Sequence, residues 1–146
     1  MSSILVERDR RTLLVRFRKL TPEHQPSWGA LNAKKMVCHL GDQLAVALGD
    51  ILCEPKGSLL TNTVAKWLVL YVPFPAPKGK VNTVPEMLTT QPSDWGKDTA
   101  RFESLLSRLV DAKALALHPA FGKLSRSQWG ILAAKHIDHH LRQFGV

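Results

Sequence analysis

Only two cysteines, Cys38 and Cys53, occur in the 146 residues, and they are not spaced as a CxxC pair. That argues against a disulfide scaffold and a cysteine-ligated zinc site, and it leaves ordinary packing as the role of both thiols. Long apolar runs are missing too. The greasiest stretch, Trp67 to Val72, falls far short of the roughly 20 residues that cross a bilayer. No charged segment followed by an apolar run and a cleavage site opens the chain, so a reducing cytoplasmic location with no membrane partner is expected. GxGxxG, P-loop and nucleophile-elbow spacings are absent, and the residue order therefore gives no support to a nucleotide cradle or a Ser/His/Asp hydrolase. There is no internal repeat, low-complexity tract or interdomain linker. With 45% hydrophobic residues, the length suffices for one domain, residues 1–146, with a real core.

The apolar periodicity is helical throughout, and no segment alternates convincingly as a strand. From about Glu7 to Leu20, the residues Leu13, Leu14, Phe17 and Leu20 share one face, and Thr21-Pro22 stops the helix. Asn32 offers an N-cap to a second helix reaching Asp50. A third segment, Ser58 to Tyr71, is nearly uniformly apolar, which predicts deep burial, and it ends at Pro73, Pro75 and Pro77. A fourth helix from about Lys97 to Val110 turns Phe102, Leu105, Leu106 and Leu109 inward. Ser125, with Gln128 three residues on, fits a capping box that opens the last helix. Between the third and fourth helices, Val72 to Trp95 is longer than most connections in compact domains. It carries Lys78 and Lys80 and is flanked by Tyr71 and Trp95, so it is either a lid over a site or, slightly favoured, a tethered surface loop.

Histidine is the residue type that carries chemistry. In the last helix, Trp129, Leu132, Ala133, His136, His140 and Phe144 form a core-facing stripe, and His136 and His140 lie one turn apart with β-carbons about 5–6 Å from each other. His139 falls beside Lys135 and Arg142, on the solvent side. In the second helix the stripe Met36, His39, Leu40, Gln43, Leu44, Ala47 and Leu48 sends a third histidine inward. Buried imidazoles need partners. Facing helices of a bundle commonly build metal sites, so His39, His136 and His140 are the candidate ligands of one divalent ion. The plainer account is three core histidines satisfied without metal. Asp42 and Gln43 beside His39, and Gln143 beside His140, are candidates to orient an imidazole or contact a bound water. For Gln43 and Gln143 a boundary position with the amide in solvent is as good a reading, and for Asp42 a surface charge. His118 and His24 read as turn and loop residues.

The segment Met36-Val37-Cys38-His39-Leu40-Gly41-Asp42, followed much later by His136-Ile137-Asp138-His139-His140-Leu141-Arg142-Gln143, resembles the DinB-like superfamily. Trp28-Gly29, His118-Pro119-Ala120-Phe121-Gly122-Lys123-Leu124 with Trp129, and the ending Arg142-Gln143-Phe144-Gly145 resemble a less characterised branch of it, a domain of unknown function. The resemblance covers nearly the whole chain. It implies an all-α, DinB-like four-helix bundle, here with an additional short helix and a long Pro-rich loop, in which a histidine of the second helix and the HxxxH pair of the last bind a divalent metal. It also implies frequent dimers, and relatives that are thiol-dependent transferases and isomerases or hydrolases.

Three neutral imidazoles leave an ion its full charge and open positions, as in catalytic rather than structural sites. Such a site can ionise a water for hydrolysis or a low-molecular-weight thiol for S-transfer to a small electrophilic substrate. Zinc is the first expectation, with nickel, iron or manganese as alternatives. A non-catalytic metal- or ligand-binding bundle is the rival reading. A homodimer, joined through the third segment at Trp67, Leu68 and Leu70, is expected. A further rival starts from the charge of +8 and from Arg8, Arg10, Arg11, Arg16, Arg18 and Lys19 in the first helix, a cationic surface suited to nucleic acid. Basic residues are spread through the remaining chain without a recognition motif, and a solvated basic face is the commoner outcome.

Overall fold

Five α-helices and no strand occur among the described residues, which in this computed structural model are 1–54, 56–58, 60–72 and 85–146. Helix α1 spans Glu7–Phe17, α2 Ala33–Leu48, α3 Lys66–Tyr71, α4 Trp95–Asp111 and α5 Arg126–Gln143. A π-helical turn, Thr61–Ala65, leads into α3, and a 3₁₀ turn, Pro85–Leu88, precedes α4.

Local chemistry sets the boundaries. Asn32 accepts a hydrogen bond from the Lys35 amide at 2.9 Å and opens α2, while Gly49 closes it in the left-handed conformation with φ 82°. Asp94 caps α4 through the Lys97 amide, two residues ahead of the start expected from the pattern. The Ser125–Gln128 capping box forms in both directions and fixes the start of α5. Helix α1 is shorter than its apolar pattern: it ends at Phe17, and Leu20 is buried from the turn that follows.

Helix α2 is the centre of the molecule. It packs against α4, α5 and the 3₁₀ turn, and every residue from Met36 to Ala47 is buried. Helices α1 and α3 pack on α5. Phe17 of α1 meets Phe102 of α4 at a ring-centroid distance of 4.3 Å, and Trp129 of α5 is fully buried with its indole N–H donating to the Ala116 carbonyl at 3.2 Å. An aromatic pair of this kind adds about 0.5–1.5 kcal/mol beyond its area burial, so it ties α1 to α4 as well as filling space.

The third segment departs from its expected depth. Of the α3 side chains only Leu70 is buried; Trp67 is 58% exposed, and Leu68, Val69 and Tyr71 are exposed with it, as are Leu60 and Val64 just upstream. Uniform apolarity carries no phase, so it cannot say which face, or how many faces, a helix buries. Here α3 lies at the periphery on α5. Besides Leu70, it is held by Lys135, whose Nζ donates to the carbonyls of Val69 at 2.7 Å and Val72 at 2.9 Å and so satisfies acceptors at the helix C-terminus.

Candidate metal centre

Helix α2 brings His39, and α5 brings His136 and His140, to one point between them. The Nε2 atoms of His39 and His136 are 2.9 Å apart and those of His140 and His136 3.1 Å. Imidazole nitrogens held about 2.0–2.1 Å from a shared ion stand roughly 3 Å or a little more from one another, so this spacing suits a common ligand. The three rings are nearly perpendicular in every pair, with interplanar angles of 86°, 81° and 84°. His39 and His140 are buried and His136 is partly buried; together they are a group of the right geometry to hold a metal ion.

The hydrogen bonds of the far ring nitrogens decide where the protons are. Nδ1–H of His39 donates to the Met87 carbonyl at 2.8 Å. Nδ1–H of His140 donates to Oε1 of Gln143 at 2.7 Å, and the amide orientation is fixed in turn because Gln143 Nε2 donates to the Trp28 carbonyl. Both rings are therefore tautomers with a bare lone pair on Nε2. His136 has no such partner among the described residues: its Nδ1 is buried without a hydrogen bond from any of them. If its proton sits on Nε2, that N–H serves only one of two neighbouring lone pairs and leaves Nδ1 unpaired. With the proton on Nδ1, three lone pairs face each other. Either state leaves a buried polar group unsatisfied, at a cost of about 1–3 kcal/mol, and a cation among the three Nε2 atoms removes the conflict.

Electrostatics points the same way. Burial holds the His39 imidazole below its ordinary pKa, against the opposing pull of the Met87 carbonyl. Burial and then the His140 and His39 rings push His136 well below it, and burial with His39 lowers His140 to about 3. All three are neutral at pH 7, the state in which imidazole ligates.

The surrounding candidates separate. Gln143 sits where the spacing expects it, orienting His140. A Cβ on Gly29 would lie 2.5 Å from the Gln143 amide nitrogen, and Gly29 has φ 82°, so the Trp28-Gly29 pair is what lets this amide reach the Trp28 carbonyl. Gln43 is buried, yet its Oε1 has no hydrogen-bond partner among the described residues. Asp42 is fully buried rather than a surface charge, and its bonds go to Thr89, Thr90 and Arg101, not to an imidazole. His139 stays outside the group and lies edge-on to Trp28 at 6.1 Å. His118 is a turn residue whose Nδ1 accepts from the amides of Ala120 and Phe121.

A family model described as protein of unknown function (DUF1569) matches residues 18–145. The chain belongs to this family. The DUF1569 match takes in all three histidines and both flanking carbonyl acceptors, of Met87 and Trp28, and leaves out the whole of α1. No curated protein and no solved structure matches the chain.

Met87 could not be found from the DUF1569 sequence by ligand spacing, because its contribution is a backbone carbonyl. It lies in the stretch read as loop, whose last part instead packs on α2 as the 3₁₀ turn. Residues 73–84 of the Val72–Trp95 connection, with Lys78 and Lys80, lie outside the described residues. Of the aromatics that flank this connection, Tyr71 accepts a hydrogen bond from Gln128 Nε2 at 3.2 Å, and Trp95 packs against the core. Neither cysteine is an activated nucleophile: burial pushes the Cys38 thiol up to about 11 and raises Cys53 as well. Several arginines in α1 or at its end are engaged, Arg16 by Asp138 at 2.6 Å, Arg18 by Glu103 at 2.7 Å and Arg10 by the Ile4 carbonyl.

Proposed function

We propose that this DUF1569 protein is a DinB-like helical bundle that binds one divalent cation through Nε2 of His39, His136 and His140, and that it is a metal-dependent enzyme acting on a small electrophile. The observation that carries the metal reading is the pair of Nδ1–H bonds to Met87 and Gln143, which turns two bare lone pairs toward Nε2 of His136, whose Nδ1 has no hydrogen-bond partner among the described residues. A bound cation supplies Lewis acidity, which lowers the pKa of a water or thiol at its open positions toward neutrality. The chain contributes two oriented imidazoles, a third whose outer nitrogen is free to carry the proton, and a buried acceptor in Gln43 Oε1. S-transfer from a low-molecular-weight thiol comes first and hydrolysis second, because the chain's own thiols are held protonated while three neutral ligands suit a thiolate brought in as co-substrate. Zinc is the first metal to test.

A non-catalytic metal-binding bundle is the second reading, supported by the same triad with no assigned general base beside it. Arg16 and Arg18, paired with Asp138 and Glu103, weaken the case for nucleic acid. A homodimer is part of the proposal, through the exposed face of Val64, Trp67, Leu68 and Tyr71 rather than the buried Leu70.

Elemental analysis of purified protein tests the site: one equivalent of metal in the wild type, loss of it in His136→Ala and retention in His139→Ala. Full retention in His136→Ala would sink the assignment. For the reaction, thiol cofactors paired with electrophilic acceptors are to be screened with metal-loaded protein and with His39→Ala; equal rates argue for the non-catalytic reading. Light scattering that gives a monomer at micromolar concentration removes the dimer.

A further inference from the structure

Asp42 is a carboxylate with 0% exposure in the middle of the central helix. Burying a carboxylate is costly unless donors surround it, and four do. Its Oδ2 accepts from the Thr90 amide at 2.9 Å and from the Thr89 hydroxyl at 3.4 Å; its Oδ1 accepts from the Thr90 hydroxyl and from Arg101 Nη2 at 3.0 Å. Thr89 and Thr90 immediately follow the 3₁₀ turn that contains Met87. Helix α2 therefore holds that turn at two points: His39 grips the Met87 carbonyl and, three residues on, Asp42 grips Thr89 and Thr90.

The remaining arm comes from α4. Arg101 reaches Asp42 across the face of Gly41, where a Cβ would lie 2.5 Å from Arg101 Nη1. The sequence Gly41-Asp42 is thus a matched pair, the glycine leaving room for the guanidinium and the aspartate receiving it. The chain that leads from the turn into α4 is fastened at the helix start, where Asp98 accepts from the Ser93 amide and hydroxyl at 3.0 Å.

We infer that Asp42 is a positioning residue for His39, acting through Thr89, Thr90 and the 85–90 segment to hold the Met87 carbonyl where it fixes the His39 tautomer. It touches no ring of the triad in this role. An outer partner of this kind typically changes metal affinity by about 10–100-fold, because it sets which nitrogen offers its lone pair.

The inference rests on the metal reading for its affinity arm but not for its tautomer arm. In metal-free protein, ¹⁵N shifts of the ring nitrogens report the tautomer of each histidine. Asp42→Asn is expected to mix the tautomers of His39 while leaving His140, held independently by Gln143, as in the wild type. Zn²⁺ affinity is expected to fall about 10–100-fold in the same variant. Thr90→Val, which removes one donor and leaves the charge pair with Arg101 in place, is expected to move both readouts in the same direction by less, and it decides the matter if Asp42→Asn does not fold. An unchanged His39 tautomer overturns the proposal. So does an equal change at His39 and His140, which marks general loosening rather than positioning. If the wild type binds no Zn²⁺, the metal reading fails, and the tautomer comparison still decides the role of Asp42.

Discussion

Helix α2 and the segment running into α3 invert what their compositions lead one to expect. α2 carries a histidine, an aspartate and a glutamine and buries all three, whereas α3, the greasiest stretch of the chain, leaves Trp67, Leu68, Val69 and Tyr71 in solvent. The difference is one of partners. Each of the first two polar groups in α2 has acceptors or donors waiting on another element, the Met87 carbonyl for His39 and Thr90 with Arg101 for Asp42. Among the described residues, α3 lies mainly against one side of α5 and the turn that leads into it. Burial thus follows the neighbours available to a helix, and a polar group whose hydrogen bonds are met can sit deeper than an apolar one with nothing to face.

The largest effect expected from probing this contrast is in α2. Leu40→Ala, at a position with 0% exposure, should cost about 2–5 kcal/mol in urea unfolding of the metal-free protein, the range for a core truncation that leaves a cavity. A cost below about 1 kcal/mol would show that α2 is not the centre of the packing.

Acid sharpens the comparison next, because the buried histidines lie in α2, α5 and the preceding turn and none in α3. Burial lowers His118 to about 4 and His140 to about 3, and lowers His39 and His136 too. Groups with depressed native pKa take up protons in the unfolded chain first. Stability is then complete above about pH 6.5 and is lost as pH falls toward the native values, by roughly 3 kcal/mol from His118 alone once the loss is fully developed. The urea midpoint of chelator-treated protein, followed from pH 7 to pH 4.5, should fall steadily; a flat profile would mean these rings are solvated.

Smallest is the effect at the exposed segment. Trp67→Ser should change the unfolding free energy of the monomer by less than about 0.5 kcal/mol, as surface substitutions generally do. A loss above about 2 kcal/mol under the same conditions would mean that this face is covered in the folded protein, and the contrast with α2 would disappear.

What the residues disclosed in advance follows the same division. His39, His136 and His140 were legible because each interrupts an apolar stripe of helical period, where a polar residue stands out against its phase. Asn32 and the Ser125–Gln128 pair were legible because caps act over three residues. The exposure of α3 was hidden because a stripe with no polar side has no direction. Met87 and Thr90 were hidden because a backbone carbonyl and amide have no residue code, and the partners of Asp42 come from positions 47, 48 and 59 residues away.

The bond between His39 and His136 joins residues 97 apart along the chain. Closing a loop of that length in a flexible polymer costs about 4 kcal/mol of configurational entropy, so a cation taken by these rings would act as a cross-link. During synthesis the second ring is added 97 residues after the first. The centre can therefore assemble only after that whole intervening stretch has been made, and the helix bearing His39 has to wait, folded or partly folded, for the helix bearing His136 and His140 to arrive.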